Sequence, residues 1–214
     1  MEKRRANSSD RQSSEKTEAI LAGAMQEFLA GGYAATTMDR IASAASVSKA
    51  TVYSHFQDKE TLFIALIERL AQEKFRGAFN SPDPQMLEKE PEIALRCLAA
   101  NMLDTSQTHL LDFIRIIIGE SGRFPALARA FVQHIEKPVH DEVRQYLASR
   151  AELKLADPDS VAQIIIGTLV HFSIVHHVLQ SSDILPVERD RLIDNLITLI
   201  TIQPEKSRTC QSQG

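Results

Sequence analysis

An all-α fold is what this chain predicts, and three observations carry the prediction. Almost every long segment repeats its apolar residues at helical spacing, no stretch alternates like a strand, and Pro125, Pro158 and Pro186 stand near the starts of periodic segments. The 214 residues are 43% apolar, enough for about one to two packed domains and too apolar for a disordered chain. The nearly apolar run Ile114 to Gly119 is interrupted by Arg115, and no apolar run approaches the ~20 residues a span needs, so no membrane span is expected. The polar start, with Lys3, Arg4 and Arg5, does not read as a secretory signal, and the cytoplasm is the expected compartment.

About nine helices can be placed. The first runs from about Ser14 to Leu29, with Ile20, Leu21, Ala24, Met25 and Phe28 on one face, and Gly31-Gly32 supply left-handed residues to end it. A short second helix carries Met38, Ile41, Ala42 and Ala45 at i, i+3, i+4, i+7; Thr36 and Thr37 offer hydroxyls to its free amides, and Asp39 favours its positive end. After Ala44 to Val47, Ser48 is the N-cap of a third helix ending near His55. Asp58 caps a fourth, from about Lys59 to Phe79, with Leu62, Leu66, Ile67 and Leu70 as its buried stripe, and Ser81-Pro82-Asp83-Pro84 stops it.

Five more helices are expected near Glu92–Thr108, Leu110–Ser121, Pro125–Arg150, Pro158–Gln180 and Val187–Ile202, with a kink at Pro138. The helix from Pro158 is apolar nearly all round, so one face should meet its own core and the other a second subunit. The expected organisation is an N-terminal segment over 1–58, a connecting helix over 59–80, a helical second half over 81–202 and a polar tail over 203–214.

Charge and cysteines narrow the function classes. The net charge is −4, yet residues 1–59 carry eight Lys/Arg against seven Asp/Glu, so a polyanion would bind at the front. Cys97 and Cys210 have no CxxC partner, which excludes a disulfide framework and a cysteine zinc site. Cys97 reads as core filler and Cys210 as part of the tail.

The informative stretch is Thr36 to Lys59. Two short capped helices joined by a tight turn make a helix-turn-helix, whose second helix can enter the major groove. Ser48 and Lys49 stand at its amino end, facing phosphate or a base edge; Thr51 adds a hydroxyl and a methyl. Tyr53 and His55 suit phosphate oxygens, Ala50 allows close approach, and Lys59 opens the next helix. The rival reading is a pair of packing helices, against which Lys49, Thr51, Tyr53 and His55 alternate with Val47, Val52 and Phe56.

The ordered residues Gly32-Tyr33, Thr36-Thr37, Ile41-Ala42, Ala45, Val47-Ser48, Thr51, Tyr53, His55-Phe56, Lys59-Glu60 and Leu62 resemble the tetracycline-repressor (TetR) family of bacterial transcriptional regulators. The motif covers about residues 15–65; two departures are Ser46 for the usual turn glycine and Ala50 for a frequent glycine or proline. A left-handed Ser46 would cost about 1 kcal/mol relative to glycine. The resemblance implies three helices for DNA binding, a connector, and five for ligand binding and dimerisation. It places DNA contacts on Thr37, Ser48, Lys49, Ala50, Thr51, Tyr53, Ser54, His55 and Lys59, with Lys3, Arg4, Arg5 and Arg11 as an arm or a solvated tail.

The implied function is a homodimeric repressor, not an enzyme, that binds a pseudo-palindromic double-stranded operator and is released by a small apolar or amphipathic effector. Effector candidates are Met102, Phe113, Ile117, Phe131, His134, Phe172 and His176, each with core packing as its alternative; the dimer seam falls on Val170, Ile174, Leu192, Leu196 and Ile200. An activator or a ligand-independent factor fits the same motif. A helical-bundle enzyme or metal sensor is the remaining rival, resting on His134, His140, His171, His176 and His177. But His171 and His176 lie about 140° apart on a helix, and no HExxH, GxSxG or phosphate-cradling glycine loop occurs, so no metal or other cofactor is expected.

Overall fold

The computed structural model describes residues 2–74, 79, 83, 85–104 and 109–201, with the side chains of 2–10, 73, 74 and 109 excepted. It contains α1 (Glu2–Ala35), α2 (Met38–Ala44), α3 (Lys49–His55), α4 (Lys59–Lys74), α5 (Pro91–Met102), α6 (His109–Glu120), α7 (Pro125–Phe131), α8 (Lys137–Ser149), α9 (Pro158–Ser173) and α10 (Arg189–Thr201). A π turn, Val132–Glu136, makes α7 and α8 one helical run, so the described residues hold nine α-helical runs, two single 3-10 turns (Met86–Glu88 and Ala151–Leu153) and no strand. The expected tail 203–214, Cys210 and the side chains of Lys3, Arg4 and Arg5 lie outside the described residues, as do positions 81, 82 and 84 of the expected stop.

Three boundaries differ from expectation for identifiable reasons. The first helix begins at Glu2 rather than Ser14, because nothing in the polar stretch forbids helix. Its backbone breaks at Gly32 alone, φ +73°, with a last short stretch on to Ala35, while Gly31 stays right-handed. The fifth helix ends at Met102 and Leu103, short of Thr108. Pro138, expected to kink its helix, is accommodated by the π turn: Lys137 N–H bonds to Val132 O, five residues back. A second π turn, Ile174–Val178, prolongs α9, and left-handed Gln180 (φ 53°) ends it.

Two compact units form, and packing groups the chain differently from the functional division read in the sequence. The first holds α1–α4 together with α6, α7 and the first π turn. Its core is built on Ile20, Ala24, Phe28, Ile41, Val52, Leu62, Phe63, Leu66, Ile67, Phe113 and Leu127. The Phe28, Tyr33, Phe63, Phe113 and Phe124 rings run through it with centroid separations of 4.8–5.7 Å. Burying such rings supplies both apolar area and edge-to-face attraction.

The second unit holds α5, most of α8, α9 and α10. Leu95, Leu98, Val143, Leu147, Ile165, Ile166, Leu169, Ile193 and Ile197 are buried in it. Arg150 donates to Leu87 O and Lys89 O, and Phe79 packs on Tyr146 at 4.6 Å. Pro158–Val178 is long and apolar enough to cross a membrane by length and composition, which the sequence reading had not expected. Ser160, Gln163 and Thr168 break the segment into short apolar stretches without lowering its mean hydropathy below that of a span. Ala162, Ile165, Ile166, Leu169 and Phe172 on it are buried in the unit.

Candidate nucleic-acid interface

The turn between α2 and α3 is built from backbone bonds. Val47 N–H reaches Ala42 O at 3.0 Å and Ser46 N–H reaches Ser43 O at 3.1 Å, while Ser46 itself is left-handed at φ 55°. This paired pattern is the Schellman motif, which satisfies the last carbonyls of α2 and reverses the chain with one left-handed residue. Ser48 then caps α3: its Oγ accepts from Thr51 N–H at 3.0 Å and shares a 2.8 Å hydrogen bond with Thr51 Oγ1. Thr37 caps α2 by accepting from Arg40 N–H. Thr36, expected to share that task, instead places its buried hydroxyl 2.8 Å from Gly32 O and 3.0 Å from Glu27 O, holding the end of α1.

Packing fixes which face of α3 is free. Val52 and Phe56 are buried, and α1 comes so close that a Cβ on Gly23 would sit 2.7 Å from Ala45 N. The exposed face is therefore Lys49, Ala50, Tyr53 and Ser54, at i, i+1, i+4, i+5, with Tyr53 47% exposed. Ser54 Oγ donates to Thr51 O at 2.7 Å, so its lone pairs face outward. Thr51 is half-buried, as is His55, whose Nδ1 is hydrogen-bonded to Thr17 Oγ1 of α1 at 3.0 Å. The strict alternation read in the sequence is thus replaced by a helical stripe.

Three interactions around this face were invisible in the sequence. Lys49 Nζ pairs with Asp39 at 2.7 Å and lies 5.9 Å from the centre of the Tyr53 ring. The hydrogen bond that the Lys49 ammonium donates to Asp39, and then the charge of that carboxylate, hold the ammonium above its ordinary pKa. Arg40 pairs with Glu27 of α1 at 2.7 Å. Lys59 Nζ donates to the Tyr33, Ala34 and Thr36 carbonyls at 2.7, 3.3 and 2.9 Å, and sits 4.4 Å from the centre of the Tyr33 ring. Its three donors satisfy the end of α1, and burial lowers its pKa. Burial, then the charges of Glu60, Asp58 and Glu120, push the Tyr33 phenol up to about 12. Apart from Lys49 and Tyr53, which are four apart on α3, spacing could not reveal these pairs, because each joins residues ten or more apart in the chain. Asp58 does cap α4, accepting from Thr61 N–H at 2.8 Å.

The other candidates divide between the units. In the first, Phe113 is buried against Phe63, Ile117 is buried, Phe131 is half-buried, and His134 Nε2 lies 3.5 Å from Glu68. In the second, Met102 is half-buried and Phe172 stacks on His176 at 3.9 Å. Val170, Ile174, Leu192 and Ile200 are half-buried, whereas Leu196 is buried within its own chain. Ile164 of α9 and Leu199 of α10, absent from the expected seam, are 59% and 77% exposed. Among the described residues no three His, Cys, Asp or Glu cluster as a metal site would need.

Comparison with known proteins agrees with this geometry. Residues 20–66 match the family described as bacterial regulatory proteins of the tetR family, and residues 93–201 match the C-terminal domain of AefR-like transcriptional repressors. The regulator YhgD of Bacillus subtilis is 29% identical over 159 residues, covering 71% of this chain and 79% of its own. The flavonoid-responsive regulator FrrA is 33% identical with a TM-score of 0.65, covering 86% of this chain and 92% of its own. A tetR-family regulator from Mesorhizobium loti is 26% identical with a TM-score of 0.68, covering 88% and 94%. The chain belongs to the TetR family of transcriptional regulators, DNA-binding helix-turn-helix proteins rather than enzymes.

Proposed function

We propose that this regulator is a cytoplasmic repressor that binds a pseudo-palindromic operator as a homodimer and leaves it when a small apolar or amphipathic effector binds. The observation that carries the reading is the Lys49, Ala50, Tyr53 and Ser54 face of α3, capped at its amino end and held outward by the Schellman turn. Such a helix offers amides, an ammonium and a phenol to phosphates and base edges. Thr37, Ser48 and Thr51 border this face; His55 and Lys59, tied to α1, would contribute through the shape of the interface. A dimer would set two such helices about 34–36 Å apart, one helical turn of DNA.

Repression is supported by the AefR-like repressor match and by BepR of Brucella suis, a transcriptional repressor 34% identical over 96 residues, which cover 46% of BepR. An apolar aromatic effector is supported by the flavonoid response of FrrA and by a SmeT structure in complex with triclosan. Within the first unit, Glu120 at the end of α6 accepts from Ala34 N–H at 3.3 Å, and Phe124 packs on Tyr33 at 4.8 Å. A ligand that repacks α6 would therefore move the chain that enters α2, and a coupling of about 1–3 kcal/mol is enough for regulation. For the second subunit, we assign the apolar positions Val170, Ile174, Leu192 and Ile200, extended by exposed Ile164 and Leu199, while Leu196, buried in its own chain, drops out of the seam.

Fluorescence anisotropy with DNA from upstream of its own gene tests the reading. Salt-dependent binding that a flavonoid or triclosan weakens is expected. Absence of binding to every promoter fragment overturns it, and a stable monomer in analytical ultracentrifugation overturns the dimer.

A further inference from the structure

We infer that Asp39 is a specificity-determining residue, which masks the charge of Lys49 from phosphate while holding its side chain in position to read a base edge. The inference rests on the DNA-binding reading above and adds to it a carboxylate on the reading face itself. Arg40 and Lys49 are the Lys and Arg residues of α2 and α3, and both are ion-paired, with Glu27 and Asp39. Lys59 at the start of α4 gives its donors to carbonyls. The helix-turn-helix therefore presents little net positive charge to a phosphate backbone.

That arrangement affects two kinds of binding differently. Nonspecific affinity comes from displaced counterions, and an ammonium already paired with a carboxylate displaces none. Base readout depends on placing a donor accurately. An ammonium has three donors, and only one is committed to Asp39; the carboxylate at 2.7 Å and the Tyr53 ring at 5.9 Å restrict where the others aim. Both side chains are more than half exposed, so the pair adds little to folding stability, and a change at Asp39 should leave the fold intact.

The test is Asp39→Asn, measured by anisotropy on a random-sequence 30-base-pair duplex and on a promoter fragment that the wild type retains, between 50 and 300 mM salt. On the random duplex one unmasked ammonium should steepen the slope of log affinity against log salt by about 0.9, which is about 8-fold tighter binding at 0.1 M salt. On the promoter fragment the gain should be smaller, so the ratio of specific to nonspecific affinity falls. In a Lys49→Ala background the Asp39→Asn gain should be mostly lost. An unchanged slope, or an equal gain in both backgrounds, overturns the proposal, since the latter is bare removal of negative charge. Wild-type protein that binds no duplex overturns the DNA-binding reading as well, whereas wild-type binding with an inert Asp39→Asn overturns this proposal alone.

Discussion

Replacing Ser46 with glycine should stabilise the protein, and the size of the effect follows from the turn. Ser46 is the left-handed residue of the Schellman motif, at φ 55°, and its exposed side chain appears in no hydrogen bond that the turn depends on; the turn is made by Ser46 N–H and Val47 N–H. A residue with a Cβ pays about 1–2 kcal/mol for that conformation. Glycine avoids this but loses more backbone freedom on folding, about 0.4–1 kcal/mol. The difference leaves Ser46→Gly more stable by about 0.5–1 kcal/mol. In urea denaturation followed by circular dichroism the midpoint should rise at unchanged m value. Ser46→Val should move it the other way by at least as much, since a β-branched residue tolerates positive φ poorly. A glycine variant that is less stable than wild type would refute the reasoning, because it would mean that the serine side chain holds the turn.

Further substitutions probe the surrounding contacts. Gly23→Ala should lower stability by about 1–3 kcal/mol despite alanine's better helix propensity, because its Cβ would meet Ala45 backbone at 2.7 and 3.0 Å; thermal denaturation reads this out. Lys59→Met should cost about 1.5–3 kcal/mol in the same assay by leaving the Tyr33, Ala34 and Thr36 carbonyls without their cation, whereas a lysine used only for phosphate would leave stability unchanged. Burial, and then the charge of His176, lower the His177 pKa from 6.5, so the unfolded chain takes up its proton first. Stability from this residue is complete above about pH 6.5 and declines as pH falls through the folded value, and His177→Gln should flatten that part of a stability-against-pH curve.

Much of the fold was legible because it is local. Period and caps placed α2, α3 and the start of α4, and Ser48, Thr37 and Asp58 cap as their positions require. Ser46 could be singled out because it stands where the resembled family carries its turn glycine, and it is indeed left-handed. Non-local choices were not legible. Lys59 reads as a surface cation until the end of α1 folds back onto it, and Thr36 looks like a cap until its hydroxyl turns inward. Asp39 looks like a dipole partner for α2 until Lys49 arrives from across the turn. The grouping of α6 and α7 with α1 and α4 depends on an aromatic core assembled from distant segments, and apolar period alone carries no partner information.

The central claim is that the outward face of α3 meets the duplex. The Lys49→Ala/Tyr53→Ala double variant, checked for native circular dichroism, should lose at least 10-fold in anisotropy-measured affinity for a promoter fragment that wild type binds, since each direct base contact carries about 1–3 kcal/mol. Unchanged affinity would contradict the account.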